Sequence, residues 1–288
     1  MWLESGGKIM SANPFLNITK MSGSGNDFIL VDNRSRQIRT EQMVALTKGL
    51  CRRMVSVGAD GMIFLEPSES YDFKWRFFNA DGSEAEMCGN GGRCTARFAF
   101  LEGIAPSVMT FETLAGPIQA WVDGTTVKLQ LTQPKDLRLD QSILVEGKAV
   151  TFDFLNTGVP HTLVWVEDIE KTDVPALGRT IRFHEHFKPA GTNVNFGQLL
   201  SSGRVSLRTY ERGVEAETLA CGTGAVAAAG VAFLKGKLPS PVQVQTRGGE
   251  ILTVHLDGTI GQKIEKVYLQ GDVRLVFKGE VFAEALKD

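Results

Sequence analysis

The chain carries one phrase twice. Cys88-Gly-Asn-Gly-Gly-Arg-Cys-Thr-Ala-Arg-Phe-Ala-Phe-Leu-Glu-Gly103 lies without gaps over Cys221-Gly-Thr-Gly-Ala-Val-Ala-Ala-Ala-Gly-Val-Ala-Phe-Leu-Lys-Gly236, at an offset of 133 residues. Upstream of each copy an alternating segment (Phe73 to Phe78; Val205 to Tyr210) leads through a glycine turn to Glu-Ala-Glu. An offset near half of 288 residues indicates duplication, because solenoid periods are about 20–50 residues. Two similar lobes are therefore expected: residues 15–135 with Cys88, residues 136–275 with Cys221, and a segment 276–288 packing back on the first lobe. Residues 1–14 read as a polar extension outside the fold.

Period-two alternation dominates the rest. In Tyr71-Asp-Phe-Lys-Trp-Arg-Phe77 aromatic and polar residues alternate, which suits a half-buried strand. Similar segments at Thr126 to Leu131, Ile251 to Leu256 and Val267 to Leu269, with turn pairs such as Asp123-Gly124 and Asp257-Gly258, predict antiparallel or mixed sheets. Helical spacing is confined to Thr40 to Met54, Gly91 to Leu101 and Gly224 to Leu234. The last is apolar on all sides, so protein must enclose it. The fold class that results is α+β, two pseudo-symmetric domains, each a mostly antiparallel or mixed sheet rolled around a central helix.

Thirty-one lysines and arginines against 33 acids leave a formal charge of −2, which offers no basic field for nucleic acid or an anionic membrane. No stretch has the length of a membrane span or the pattern of a secretory leader, so the cytoplasm is the expected compartment. Four cysteines, at 51, 88, 94 and 221, are too few for a disulfide framework and contain no C-x-x-C pair. Cys51 and Cys94, embedded in helical pattern, read as small buried hydrophobes.

Cys88 and Cys221 differ from these in standing where a turn becomes a helix. The first amides of a helix lack internal acceptors, so a thiolate or carboxylate is stabilised there, and cysteine pKa values fall from about 8.5 to between about 3.5 and 7.5 in such settings. Two such thiols set on opposite sides of one carbon form a base and an acid. One removes a proton and the other delivers one, which inverts a stereocentre without metal or cofactor. The amides around Gly89, Asn90, Gly222 and Thr223 would hold the carboxylate of an amino acid and the charge that develops on it. Neither thiol has a second ligand at metal spacing, and neither Gly23-Ser-Gly25 nor Gly222-Thr-Gly224 completes a dinucleotide fingerprint. No metal and no cofactor are expected.

These residues resemble the diaminopimelate epimerase family. The likeness rests on Lys20-Met-Ser-Gly-Ser-Gly-Asn-Asp-Phe28, the stretch from Phe78 to Cys94, Gly158-Val-Pro-His161, Asn193 to Phe196, and Tyr210-Glu-Arg-Gly through Thr218-Leu-Ala-Cys-Gly-Thr-Gly224. The resemblance implies interconversion of L,L- and meso-diaminopimelate for lysine and peptidoglycan precursors, with Cys88 and Cys221 as the acid/base pair. It implies that Asn26, Asn79, Asn193, Glu211 and Arg212 hold the far end of the substrate, and that His161 and Glu211 tune the thiols. From the residues alone His161 and the asparagines read equally as turn formers. Proline racemases share the paired motif but typically have His where Asn90 stands. Gly61, Val159 and an extra residue between Arg212 and Cys221 depart from common members and bear on the distal pocket. Two alternatives therefore stay open: a racemase of another amino acid, proline-like or basic, and a non-catalytic amino-acid-binding or thiol redox protein. The expected partner is a small amino acid, and pairing of protomers into a homodimer is left open.

Overall fold

The computed structural model describes residues 15–287, so the expected extension over residues 1–14 lies outside the described residues. The described residues divide into two compact units, one comprising residues 15–129 and 272–287, the other Gln130–Gly271.

In the first unit β1 (Phe15–Gly23), β2 (Asn26–Asp32), β3 (Gly61–Glu66), β4 (Phe73–Asn79), β5 (Val108–Thr113), β6 (Gly116–Asp123) and β7 (Thr126–Leu131) neighbour one another in chain order. Helix α1 (Thr40–Leu50) joins β2 to β3, which pair in parallel, and α2 (Gly89–Leu101) joins β4 to β5, also parallel. The pairs β1–β2, β3–β4, β5–β6 and β6–β7 are antiparallel. Phe73, Trp75 and Phe77 of β4 are buried while Lys74 and Arg76 between them are half-buried, which is the expected alternation. α1 stops at Leu50 instead of reaching Met54. The Leu50 and Cys51 carbonyls accept hydrogen bonds from Gly58 and Ala59, which turn the chain toward β3, and Met54 sits at φ 71°, fully exposed.

The second unit repeats the plan. Its strands are β8 (Lys135–Val145), β9 (Lys148–Asn156), β10 (Pro160–Trp165), β11 (Asn193–Leu199), β12 (Val205–Glu211), β14 (Val242–Gln245), β15 (Ile251–Thr259) and the first part of β16 (Lys263–Phe282). The short β13 (Ala216–Thr218) pairs only with β12. Helix α3 (Val174–Arg182) joins the parallel pair β10 and β11, and α4 (Gly222–Leu234) joins the parallel pair β12 and β14. Eleven of the thirteen residues of α4 are buried, among them every residue from Gly224 to Leu234. They pack on Leu155, Leu163, Leu207, Val244, Leu252 and Leu269 from the surrounding strands. The all-apolar helix is enclosed as its sequence demanded. The sheets are mixed in both units, and both long central helices begin two residues earlier than their apolar spacing indicated. Beyond Asp272, β16 pairs antiparallel with β1 along its whole length, from Gly23↔Val273 to Phe15↔Phe282.

Candidate active-site residues

Cys88 is the N-cap of α2, in extended backbone (φ −146°, ψ 118°), and its sulfur accepts a hydrogen bond from the Gly91 amide at 3.4 Å. The thiol is half-buried. Asn90, in the first turn of this helix, is buried and donates Nδ2 to the Asn26 Oδ1 at 2.7 Å. Asn26 opens β2 after the Ser24-Gly25 turn, whose φ values of 53° and 88° suit a two-residue hairpin. Its own Nδ2 donates to Asp60 at 2.9 Å. The Asp60 amide bonds the Asp27 carbonyl, and the Ala80 amide bonds the Asp60 carbonyl, so Asn26, Asp60 and Asn79 lie side by side at one end of three neighbouring strands. Asn79 donates to the Ser83 hydroxyl across the turn that leads to Cys88.

Asp27, beside them, is ionised. Burial works to raise its pKa, but hydrogen bonds from Arg53 and Lys20 outweigh it and hold the carboxyl below its usual range. Lys20 is buried and donates also to the Gly58 carbonyl, which ties the loop after α1 to β1. Cys51 and Cys94 are expected to be small buried side chains. Both are buried, and burial pushes Cys51 up to about 12.

Cys221 caps α4 in the same extended conformation as Cys88 (φ −124°, ψ 107°), but it is buried, and its sulfur lies 3.5 Å from the Thr223 hydroxyl. Here the expectation of a lowered thiol pKa is corrected. Burial, with a smaller push from the neighbouring Glu211 carboxylate, drives Cys221 up to about 12. The Thr223 hydroxyl and the Thr223 and Gly224 amides pull the other way and lose. Removing a charge from water costs more than one helix mouth returns.

Three side chains from adjacent strands gather in this unit. His161 on β10 pairs in register with Asn193 on β11, and Glu211 ends β12 one residue beyond the Val194↔Tyr210 pair. The Arg212 amide donates to the Asn193 Oδ1 at 2.9 Å, while Asn193 Nδ2 donates to the Pro160 carbonyl. Burial raises the Glu211 pKa. The Arg212 guanidinium reaches the Ala190 carbonyl at 3.1 Å. The turn that carries Arg212 is held by Glu215, which stands at φ 57° and accepts from the Gly213 amide and from Arg182 on α3.

His161 is a strand residue, fully buried, not a turn former; Asn26, Asn79 and Asn193 likewise belong to strands. Burial depresses its pKa to about 3, with Asn195 opposing and Arg212 assisting. Asn195 Nδ2 lies 3.0 Å from Nδ1 and also bonds the Thr162 carbonyl, while its Oδ1 accepts from Thr209. A neutral ring that accepts at Nδ1 carries its proton on Nε2, and that buried atom has no hydrogen-bond partner among the described residues. A buried donor without an acceptor marks a place for a ligand or a reacting group.

Sequence reasoning did not give a role to Asn195, Arg93, Asp60 or Thr157. The Thr157 hydroxyl bonds the Thr223 carbonyl and so fixes the turn before β10 to the mouth of α4. For Asn195 a signal existed. Asn193 and Asn195 alternate with the apolar Val194 and Phe196, so both point to one face of the strand.

Comparison with known proteins agrees with the duplicated plan. The family model described as "Diaminopimelate epimerase" matches residues 18–135 and 154–276. A protein named diaminopimelate epimerase from Aquifex aeolicus (strain VF5) is 48% identical, over 93% of this chain and 98% of its own. Its namesake from Archaeoglobus fulgidus (strain ATCC 49558 / DSM 4304 / JCM 9628 / NBRC 100126 / VC-16) is 40% identical, over 91% of this chain and 94% of its own. Among solved structures, a PhzF-family phenazine biosynthesis protein from Bacillus anthracis superposes with a TM-score of 0.70 at 18% identity, covering 93% of this chain and 99% of that one. A hydroxyproline epimerase from Agrobacterium vitis, with bound trans-4-hydroxy-L-proline, gives 0.67 at 17%, covering 95% and 94%. At such identities the two structures speak for the fold alone, while the family match and the closer relatives speak for descent. The chain belongs to the diaminopimelate epimerase family.

Proposed function

We propose that this chain is a cofactor-independent amino-acid epimerase that interconverts L,L- and meso-diaminopimelate, feeding lysine and peptidoglycan precursor synthesis. The observation that carries this reading is the pair of family-matched cysteines, each the N-cap of a thirteen-residue central helix in its own unit. In the proposed step the Cys88 thiolate, favoured by the Gly91 N–H, takes the proton from the α-carbon. The C–H bond breaks and an S–H bond forms. Cys221, held neutral by burial, gives its proton to the same carbon, and its S–H bond becomes the new C–H bond. The proton balance closes with two thiols. The reverse reaction starts from the opposite protonation of the pair, and Glu211, whose charge helps burial to hold Cys221 protonated, tunes that thiol.

The first-turn amides of Gly89 and Asn90, and of Gly222 and Thr223, are assigned to the substrate carboxylate and to the charge that grows on it. The distal amino-acid end is assigned to Asn26, Asn79, Asn193, Glu211 and Arg212. An Arg guanidinium matches a carboxylate in two-pronged fashion, and acceptor oxygens match an ammonium. His161 offers its Nε2 proton to the reacting end.

The working compartment in this reading is the cytoplasm, which keeps both thiols reduced; no described helix is long and apolar enough to cross a membrane. Protomers are proposed to pair as a homodimer, supported by the consecutive exposed residues Leu275, Val276 and Phe277 on β16. Sedimentation velocity across a concentration series checks the pairing, and a monomer throughout removes it.

Incubation with L,L-diaminopimelate in heavy water is expected to place one deuterium at a single α-carbon per inversion, detected by NMR and chiral chromatography. Cys88→Ala and Cys221→Ala should each abolish the interconversion. Full turnover by either variant sinks the two-thiol reading, and turnover of proline or a basic amino acid in its place redirects the substrate assignment.

A further inference from the structure

We propose that Arg93 and Asp60 are positioning residues: they end a charge-anchored hydrogen-bond relay, carried by the Asn90 side chain, that fixes which way round the amide of Asn26 faces the substrate. The inference rests on the assignment of Asn26 as a substrate ligand.

The two faces of a carboxamide, oxygen and NH2, are nearly equal in size, so packing does not choose between them and hydrogen-bond partners must. Arg93 on α2 is fully buried and donates Nη2 to the Asn90 Oδ1 at 2.8 Å. Asn90 Nδ2 donates to Asn26 Oδ1, and Asn26 Nδ2 donates to Asp60 Oδ2. A guanidinium can only donate and an ionised carboxylate can only accept. Donation therefore runs one way, from Arg93 through both amides to Asp60. Turning either amide over, or both together, sets donor against donor or acceptor against acceptor at two junctions.

Both ends are themselves fixed. Arg93 also donates to the Ser24 hydroxyl, which holds the hairpin turn immediately before Asn26. Asp60 accepts from Arg53 at 2.7 Å on its other oxygen and from the Asp27 amide. Folding alone does not require an arginine in this helix. At the repeat-equivalent position of the same fold, α4 carries Val226, fully buried and apolar, and Thr223 stands where Asn90 does. Burying a guanidinium among apolar side chains is costly unless its bonds are used.

The test compares Arg93→Met, Arg93→Lys and Asp60→Asn with the wild type by two readouts. In ligand-free protein labelled with 15N-asparagine, assigned through Asn26→Asp and Asn90→Asp, the side-chain NH2 signals of Asn26 and Asn90 should be sharp and slow to exchange. Arg93→Met and Asp60→Asn should shift or broaden both signals, including the one two bonds away from the substitution, and Arg93→Lys should restore them in part. In the epimerase assay the KM for diaminopimelate should rise about tenfold or more in Arg93→Met, and less in Arg93→Lys. Should Arg93→Met fail to fold, Asp60→Asn at the partly exposed end carries the test alone. Unchanged amide signals and an unchanged KM in a folded variant overturn the proposal. The NMR readout needs no turnover, so a wild type that does not epimerise diaminopimelate refutes the functional reading without touching the relay.

Discussion

The two halves of this protein are the same drawing executed in different chemistry. Phe28, Gly61 and Asn79 form a cross-strand row in the first unit, and His161, Asn193 and Glu211 take the corresponding places on the strands of the second. The first row does not titrate; the second contains a neutral buried imidazole and a carboxyl with a raised pKa. The helix mouths differ in the same sense. Cys88 is half-buried with an amide on its sulfur, whereas Cys221 is buried near an acid. In exchange, the first unit has the amide relay and its charged ends, and the second has none at Thr223 and Val226. Duplication copied the backbone positions at which a group can meet a helix mouth. Proton inventory then settled in one copy and ligand-orienting amides in the other. A two-base reaction needs one thiol protonated and the other not, and the unequal surroundings bias which of the two rests as the base.

The largest measurable consequence is a difference in thiol reactivity. With its pKa near 12, Cys221 holds roughly one thiolate in ten thousand at pH 8, and thiolate is the species that is alkylated. Cys51 is suppressed in the same way, and Cys94 is fully buried. Brief iodoacetamide treatment of the native enzyme at pH 8, followed by peptide mass spectrometry, should therefore label Cys88 orders of magnitude faster than the other three. Equal labelling of Cys88 and Cys221 would erase the proposed division into resting base and resting acid.

A second contrast compares equivalent glycines. Gly91 and Gly224 occupy the same helix position one repeat apart. A Cβ on Gly224 would lie 2.5 Å from the Asn195 Oδ1 and 3.3 Å from Cys221 Sγ, and Asn195 is the side chain that orients His161. A Cβ on Gly91 would meet the flexible end of Ile63 at 3.3 Å. Gly224→Ala is expected to destabilise the protein by about 1–3 kcal/mol and to cut kcat 10-fold or more, by the cost of overpacking and of disturbing a buried polar network. Gly91→Ala should cost under about 1 kcal/mol, since the helix gains propensity where it loses space. Urea denaturation and initial rates on the pair decide it. Equal effects would mean that the Asn195–His161 contact is not a tight one.

Much of this was legible in the residues. The repeat announced two similar units, and the apolar run from Ala225 to Leu234 announced an enclosed helix, because both are local patterns read directly along the chain. The helix-mouth cysteines followed from glycine placement. What escaped depends on burial, which a linear pattern does not measure. The Cys221 motif predicts a lowered pKa, yet enclosure reverses the direction. His161 next to Pro160 reads as a turn, yet β10 begins at that proline and carries the ring inside. Arg93 carries no local signal that it is buried, and its interior position follows only from the sheet wrapping around α2. Long-range partners such as Asn26 with Asp60, or Thr157 with Thr223, join segments that no spacing rule connects.

The smallest effect tests whether His161 gives the second unit its pH sensitivity. Folded His161 has a pKa near 3, against about 6.5 for an unfolded histidine. Between those values the unfolded chain binds a proton that the native protein does not, so its contribution to stability is full above about pH 6.5 and is lost as pH falls toward 3. The slope from this single group is about 1.4 kcal/mol per pH unit in that window. Phe28, its counterpart in the first unit, has no proton to take up. His161→Phe, which writes the first unit's residue into the second, should therefore flatten the acid limb of a urea-denaturation series between pH 6 and pH 4 by up to that slope. The variant should also start lower at pH 7, because Asn195 loses its acceptor at a cost of about 1–3 kcal/mol. Parallel acid limbs in wild type and variant would show that the ring takes up its proton in the folded state, and the neutral Nε2 donor assigned to the reacting end would be lost with it.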